Sequence, residues 1–201
     1  MIFKAIQLIQ AQLNQYISPP AGPEEVVSGN IAFNEAADQD QIKGKVVISL
    51  VNTEEETTLK NGMHYHKTLA GVRYTQPPVY INLYLLITAH YPQAYDTALK
   101  RLGDVIRFFQ SRKFFDVKNA MPLPDGFDPS NEEDAALYLT MELYTLTFEQ
   151  INHLWGSLGG KQIPFVMYKA RLVCVEEQLD LGTGPLIEEI RHTVETNPDD
   201  C

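Results

Sequence analysis

His64 and His66 are the first residues in this chain whose type and spacing could do chemistry. Two positions apart on an extended segment, their imidazoles would leave the backbone on the same side, a spacing that suits a metal ion. A zinc centre wants a third ligand and usually a fourth. His90 and His153 belong to other elements, and Cys174 and Cys201 show no ligand spacing, so the plainer reading is two loop histidines beside Gly62. Two acid runs, Glu54-Glu55-Glu56 and Glu132-Glu133-Asp134, hold enough carboxylates for general acid–base work. Adjacent acids at strand ends or in loops are more often solvated faces. Tyr80, Tyr84, Tyr138 and Tyr144 could line a pocket, yet tyrosines on strand faces also serve sheet packing and interfaces.

The standard catalytic and nucleotide-binding patterns fail one by one. Gly182-Thr183-Gly184 runs into Pro185 instead of a helix-opening glycine pattern, and Gly159-Gly160-Lys161 lacks both the upstream glycine and the following Ser/Thr of a phosphate loop. In Trp155-Gly156-Ser157-Leu158-Gly159 the serine stands one residue too early for a nucleophile elbow. No catalytic residue, cofactor site or metal ligand set is assigned. The chain reads as a non-enzymatic binding or assembly protein. Two competing readings stand beside it: a metal-dependent enzyme built on His64 and His66, and a monomeric adaptor whose acidic tail recruits a basic partner.

The elements that would position these residues are more legible. Over 77–115, Val79, Ile81, Leu83, Leu85 and Ile87 fall on one face of an extended segment, and Tyr80, Asn82, Tyr84, Leu86 and Thr88 on the other. That pattern predicts a central strand covered on both sides. Pro92 is placed in the first turn of the following helix, where its missing N–H is harmless. In that helix Ala94, Tyr95, Ala98, Leu99, Leu102, Val105, Ile106 and Phe109 recur at spacings of three and four. Upstream, Ile2, Ile6, Ile9, Leu13 and Tyr16 share one helical face over 2–17, which Pro19-Pro20 and Gly22-Pro23 close. Segment 26–33 predicts a short strand interrupted near Gly29-Asn30, and 45–54 a stronger one.

Periodicity fades over 54–76, which reads as a hairpin extension or a long loop, and 117–131 reads as a second loop carrying Pro122, Pro124, Gly126 and Pro129. Loops of that length are usually functional or mobile. Segment 137–146 alternates as a strand. Thr147 and Gln150 stand at capping-box spacing before a short helix that exits at Gly159-Gly160. The last strand, 164–175, sets Phe165, Met167, Lys169, Arg171 and Val173 on one side. The expected fold is α+β: a mostly antiparallel sheet of four to five strands with helices packed on one face.

Composition sets the bounds. At 201 residues and 22.7 kDa the chain suits one domain, here 1–177 followed by an acidic tail over 178–201. Area scaling allows burial of roughly 70% of the unfolded surface without staples. No apolar run approaches the ~20 residues of a membrane span, and Gln-rich 1–17 lacks the cleavage site of a secretory signal. Two cysteines point to a reducing compartment. Residues 176–201 hold eight acids against one base and so carry −7 of the net −10. Nothing in this charge favours nucleic acid, which needs clustered Lys and Arg. Leu186, Ile187, Ile190 and Val194, after Gly184-Pro185, could start a short amphipathic helix that wants a surface to cover.

Three blocks carry a resemblance: the strand 79–89 with the helix ending in Phe108-Phe109-Gln110; Phe148 with Leu154-Trp155-Gly156-Ser157-Leu158-Gly159; and 164–175 with Tyr168 and Arg171. Together, over about residues 3–177, the chain resembles the cap, or tail-terminator, family of contractile injection systems, whose particles include the Photorhabdus virulence cassettes and the antifeeding prophage. The resemblance implies a fold like that of phage contractile-tail terminators and no enzymatic activity. It implies a hexameric ring at the baseplate-distal end, binding the last tube and sheath rings and holding the sheath extended. It also implies assembly in the bacterial cytoplasm, either as the cap itself or as an adaptor beneath a second cap protein. Contacts with those partners are expected from Lys45, Val47, Ser49 and Val51, from Phe165, Met167, Lys169 and Arg171, and from the loop residues Pro122, Pro124 and Phe127. Either strand, if it lies at a sheet edge, would be the place for a sheath strand to add.

Overall fold

The computed structural model describes residues 1–19, 22–33, 39–56, 65–68, 71–75, 79–175 and 180–184. In chain order it contains α1 (Ile2–Ile17), β1 (Val26–Ser28), a 3₁₀ turn (Ile31–Phe33), α2 (Gln39–Ile42), β2 (Lys45–Glu55), β3 (Tyr65–Thr68), β4 (Gly71–Thr75) and β5 (Val79–His90). There follow α3 (Tyr95–Ser111), β6 (Phe114–Asp116), α4 (Glu132–Ala135), β7 (Tyr138–Leu143), α5 (Phe148–Ser157), β8 (Phe165–Val175) and β9 (Asp180–Gly184). The chain divides into two units, one of Met1–Leu59 with Val79–Val175 and one of Lys60–Pro78 with Glu176–Cys201.

The first unit is built on a six-stranded sheet in the order β1-β2-β5-β8-β7-β6. Every pairing is antiparallel except β1 with β2, which is parallel. The α+β class holds, but the expected four to five antiparallel strands become six in a mixed sheet. The short strand expected over 26–33 is present as β1, confined to Val26–Ser28, and the strand not foreseen is β6, three residues long and too short to show a period of two. In strand order β2 and β8 lie inside the sheet, so neither is an edge along its whole length, but β1 pairs only with Val46–Ile48 of β2 and β7 only with Tyr168–Arg171 of β8. The edges are β1 and β6.

Helices cover both faces, which corrects the one-sided packing expected. On the first face Leu83, Leu85 and Ile87 of β5 join Leu8, Ile9 and Leu13 of α1 and Val105, Phe108 and Phe109 of α3 in one core. On the second face Leu86 and Val47 pack under Trp155 of α5 with Ile31 and Ile42. The physical cause is that β5 is buried on both sides over 82–90, so each side demands its own cover.

The buried face of α1 is rotated from the stripe read in the sequence. Leu8, Gln12 and Ile17 are inside, while Tyr16 is exposed. A buried glutamine is tolerated because both ends of its amide are bonded: Gln12 Nε2 donates to Pro122 O at 2.7 Å, and its oxygen accepts from Arg112. Pro92 precedes α3 in a turn, where Ala94 N–H donates to Tyr91 O, and helix begins at Tyr95. Helix α5 opens on the capping box as expected, with Gln150 N–H donating to Thr147 Oγ1 and Thr147 N–H to Gln150 Oε1. It closes where Gly159 and Gly160 take φ of 102° and 80°, backbone angles that a Cβ would strain.

The second unit carries a three-stranded antiparallel sheet in the order β3-β4-β9. The hairpin expected within 54–76 is present as β3 and β4, with Tyr65 opposite Tyr74 and His66 opposite Arg73. Strand β9, inside the segment read as an acidic tail, pairs with β4, Val72 opposite Gly184.

Candidate functional site

The sheet register assembles a polar array on the second face, beyond the part covered by α5. Tyr84 of β5 stands opposite Lys169 of β8, Lys169 opposite Glu142 of β7, and Asn82 opposite Glu54 of β2. Side chains from four adjacent strands therefore meet. Tyr84 Oη donates to Glu54 Oε2 at 2.5 Å, and Lys169 Nζ reaches the same oxygen at 3.2 Å while lying 5.3 Å above the Tyr84 ring. Arg171 bridges Glu142 at 3.2 Å and Glu56 at 3.5 Å, and Asn82 Nδ2 donates to Glu56 Oε2 at 3.0 Å. Tyr144 packs edge-on against Tyr84.

The electrostatics of this array argue against proton transfer. The Tyr84 hydroxyl and then Lys169 hold the Glu54 carboxyl below its ordinary value, and the Glu54 bond pushes the Tyr84 phenol up. Burial alone would lower the Lys169 ammonium, but its bonds to Tyr84 and Glu54 outweigh that and raise it. Glu142 raises the Arg171 guanidinium further. Each shift moves its group away from neutral pH, whereas a general acid or base works best near it. What the array can do is hold a fixed pattern of charge toward a partner.

On the first face, α3 and the β6–β7 ribbon enclose an apolar groove of about 640 Å³, lined by Ile106, Phe109, Phe114, Met141, Leu143 and Tyr168, among others. Leu143 is 59% exposed at its rim, while Phe114, 58% exposed, stacks on Tyr138 with its ring turned to the second face, as its pairing with Thr140 opposite Arg171 requires. A third feature is loop 117–131. Its expected contact residues are Pro122, Pro124 and Phe127, and the loop that carries them is fastened to the first core. Val117 is buried in the first core with Ala120, Leu123 and Phe127 packed against it. Asp134, 1% exposed, accepts from the Lys4 ammonium and, at 3.0 Å, from the Asp128 N–H. The Lys4 bond, then the Asp128 bond, holds its carboxyl below the ordinary range.

The residues expected at an interface are thus brought together only in part. Lys45, Val47, Ser49, Val51, Phe165, Met167, Lys169 and Arg171 share the sheet's second face, on strands that flank β5. Val47 and Met167 are buried within the chain, Val51 and Phe165 pack against the core under α5, and buried Ser49 donates to Gly29 O at 2.6 Å. Those five serve the fold. Lys45, Lys169 and Arg171 keep partial exposure, as do Pro122, Pro124 and Phe127 in the loop, of which Pro122 is the most open. Glu54, Glu142 and Tyr144 were not foreseen as one group with Lys169. Their meeting depends on a register that the bulges between Leu50 and Asn52 and between Ile81 and Leu83 shift. His64 and the side chain of His66 lie outside the described residues. No group of three or more metal-ligating side chains occurs among the described residues. No described helix is long and apolar enough to cross a membrane.

Comparison with known proteins gives a consistent picture. The sequence model of the Pvc16 N-terminal domain matches residues 4–189. The fold is similar to the sheath/tube terminator of the PVC extracellular contractile injection system in its extended state, with TM-score 0.62 and 14% identity over 99% of this chain and 65% of that one. It is similar also to the anti-feeding prophage cap, a tube-terminating cap, with TM-score 0.59 and 12% identity over 96% of this chain and 60% of that one. At these identities the likeness is one of fold, and the chain spans less than two thirds of the length of either solved protein. No curated protein sequence matches.

Proposed function

The chain belongs to the Pvc16 N-terminal domain family, and from that premise we propose that it is a structural terminator of a contractile injection particle. It forms a ring, hexameric by analogy, at the baseplate-distal end, binds the last rings of tube and sheath, stops their growth and holds the sheath extended. The observation that carries this reading is the agreement of fold over nearly the whole chain with two solved terminators. The polar array supports it, because the shifts of Glu54, Lys169 and Arg171 all lead away from neutral pH. Exposed Glu54 and Glu142, with the partly exposed Lys169 and Arg171, form the surface offered to tube or sheath, Lys45 adds a charge at the far end of β2, and loop 117–131 serves as a pinned rim. Assembly takes place in the cytoplasm before particle release.

Electron microscopy of particles from a strain lacking this chain tests the proposal. Tubes of uncontrolled length or prematurely shortened sheaths are expected. Particles of normal length and normal sheath state would overturn it. An adaptor beneath a second cap protein would instead leave tubes of fixed length that lack only their outermost ring.

A further inference from the structure

Two helices of this chain share a surface pattern that their own packing does not use. On α3, Tyr95, Leu99 and Gly103 form a row four residues apart along the outer flank, with Tyr95 65% and Leu99 47% exposed. On α5, Phe148, Asn152 and Gly156 form a second such row, with Phe148 88% exposed. Rows of this spacing are the ridges along which helices pack. Each begins on a large aromatic ring and ends, eight residues or about 12 Å further on, at a glycine. The capping box at Thr147 fixes the turn that carries Phe148.

Neither glycine serves the fold of the chain itself. A glycine within a helix weakens it relative to alanine. Gly103 and Gly156 lack the positive φ of Gly159 and Gly160, and a Cβ added at either would meet nothing within 4 Å. Each leaves a notch on an open helix face, where another backbone or a bulky side chain can come close.

Laid antiparallel, the two rows are complementary: Phe148 enters the notch at Gly103 as Tyr95 enters the notch at Gly156. The flanking charges agree. One residue beyond the row stand Asp96 and Lys100 on α3 and Glu149 and His153 on α5. The antiparallel register brings Glu149 within two residues of Lys100 and His153 within two of Asp96, about 3 Å along the axis. Parallel docking would set Glu149 against Asp96. Asp96 and Lys100 have no partner of their own among the described residues, and Glu149 and His153, both exposed, meet each other at 3.8 Å.

One chain cannot make this contact with itself, because α3 covers the first face of the sheet and α5 the second. We propose that α5 of one copy docks antiparallel on the outer flank of α3 of the next. A contact between unlike surfaces is heterologous, the kind that closes into a ring. The inference rests on the ring reading above and adds the two helices that join the copies.

The test treats the full purified chain with a zero-length carbodiimide, which joins an ammonium only to a carboxylate that it touches. Mass spectrometry is expected to find Lys100 joined to Glu149, a link that only two copies can make. No such link at the highest soluble concentration overturns the proposal. Gly103→Leu and Gly156→Leu fill the notches and put a strong helix former in place of a weak one, so melting temperatures should hold or rise. The link should nevertheless fall about tenfold or more, the scale on which overpacking of a close contact acts. Undiminished linking in both variants also overturns it. Rings seen by sedimentation without the link remove this inference alone. A strong link in a protein whose loss leaves particles normal removes the terminator reading alone.

Discussion

The two halves of the sheet's second face are made by the same strands and have opposite characters. One half sets Val47, Leu86 and Phe165 against Trp155 and is closed to water; the other sets Glu54, Tyr84, Lys169, Glu142 and Arg171 in an open lattice of ion pairs. The alternation of β5 permits both, and what separates them is the reach of α5. Burial holds the fold, and under the proposed function the charges are left to recognition. A surface ion pair contributes ~1 kcal/mol or less, so an array of them is a poor way to stabilise a sheet but a good way to specify a contact.

The largest effect that could break this contrast comes from the closed half. Trp155→Ala is expected to cost about 3–5 kcal/mol through the cavity it leaves, measured by urea denaturation. Trp155→Phe should recover most of that loss, because the indole Nε1 has no hydrogen-bond partner to lose. Next comes the pinned loop. Asp134→Ala removes the acceptor of Lys4 and of the Asp128 N–H, at a cost of about 1.5–3 kcal/mol, with faster proteolysis within 121–131 as the second readout.

A smaller effect depends on pH. His90 is 6% exposed, neither of its ring nitrogens has a hydrogen-bond partner, and burial, then Lys43, lowers its pKa. The folded state therefore resists a proton that the unfolded chain takes up at about pH 6.5, so stability should fall as pH drops below that value, by at most about 1.4 kcal/mol per pH unit. His90→Leu should flatten the melting temperature between pH 7.5 and 5.5. Glu54 and Asp134, whose pKa values are lowered, act in a separate window: their contribution is present above about pH 4 and is lost below it. The smallest stability effect sharpens the contrast most. Lys169→Ala should change the unfolding free energy by about 1 kcal/mol or less, yet reduce the fraction of capped particles seen by electron microscopy. Loss of stability on the scale of Trp155→Ala would show that the open half is structural after all.

Much of this was legible in the residues. The capping box at Thr147 and Gln150, the paired glycines after α5 and the two-sided alternation of β5 are local signals, and each appears as read. The apolar stripe of α3 was wider than its core contact needs, and the excess, Tyr95, Leu99 and Ile106, is the part left exposed beside the groove. What the sequence hid was long-range. The strand order that places β2 and β8 inside the sheet comes from long-range pairing, β1 running parallel to β2 and β7 closing on β8, and the last strand, β6, is three residues long with no periodicity to read. The fastening of loop 117–131 depends on Lys4, Gln12 and Asp134, partners more than a hundred residues apart in two of the three bonds and invisible to any local pattern.

Strand β5 is bonded along almost its whole length to β2 on one side and β8 on the other, both running opposite to it. Tension along its axis is therefore met in shear, with the rungs of both ladders loaded at once, and not peeled one rung at a time.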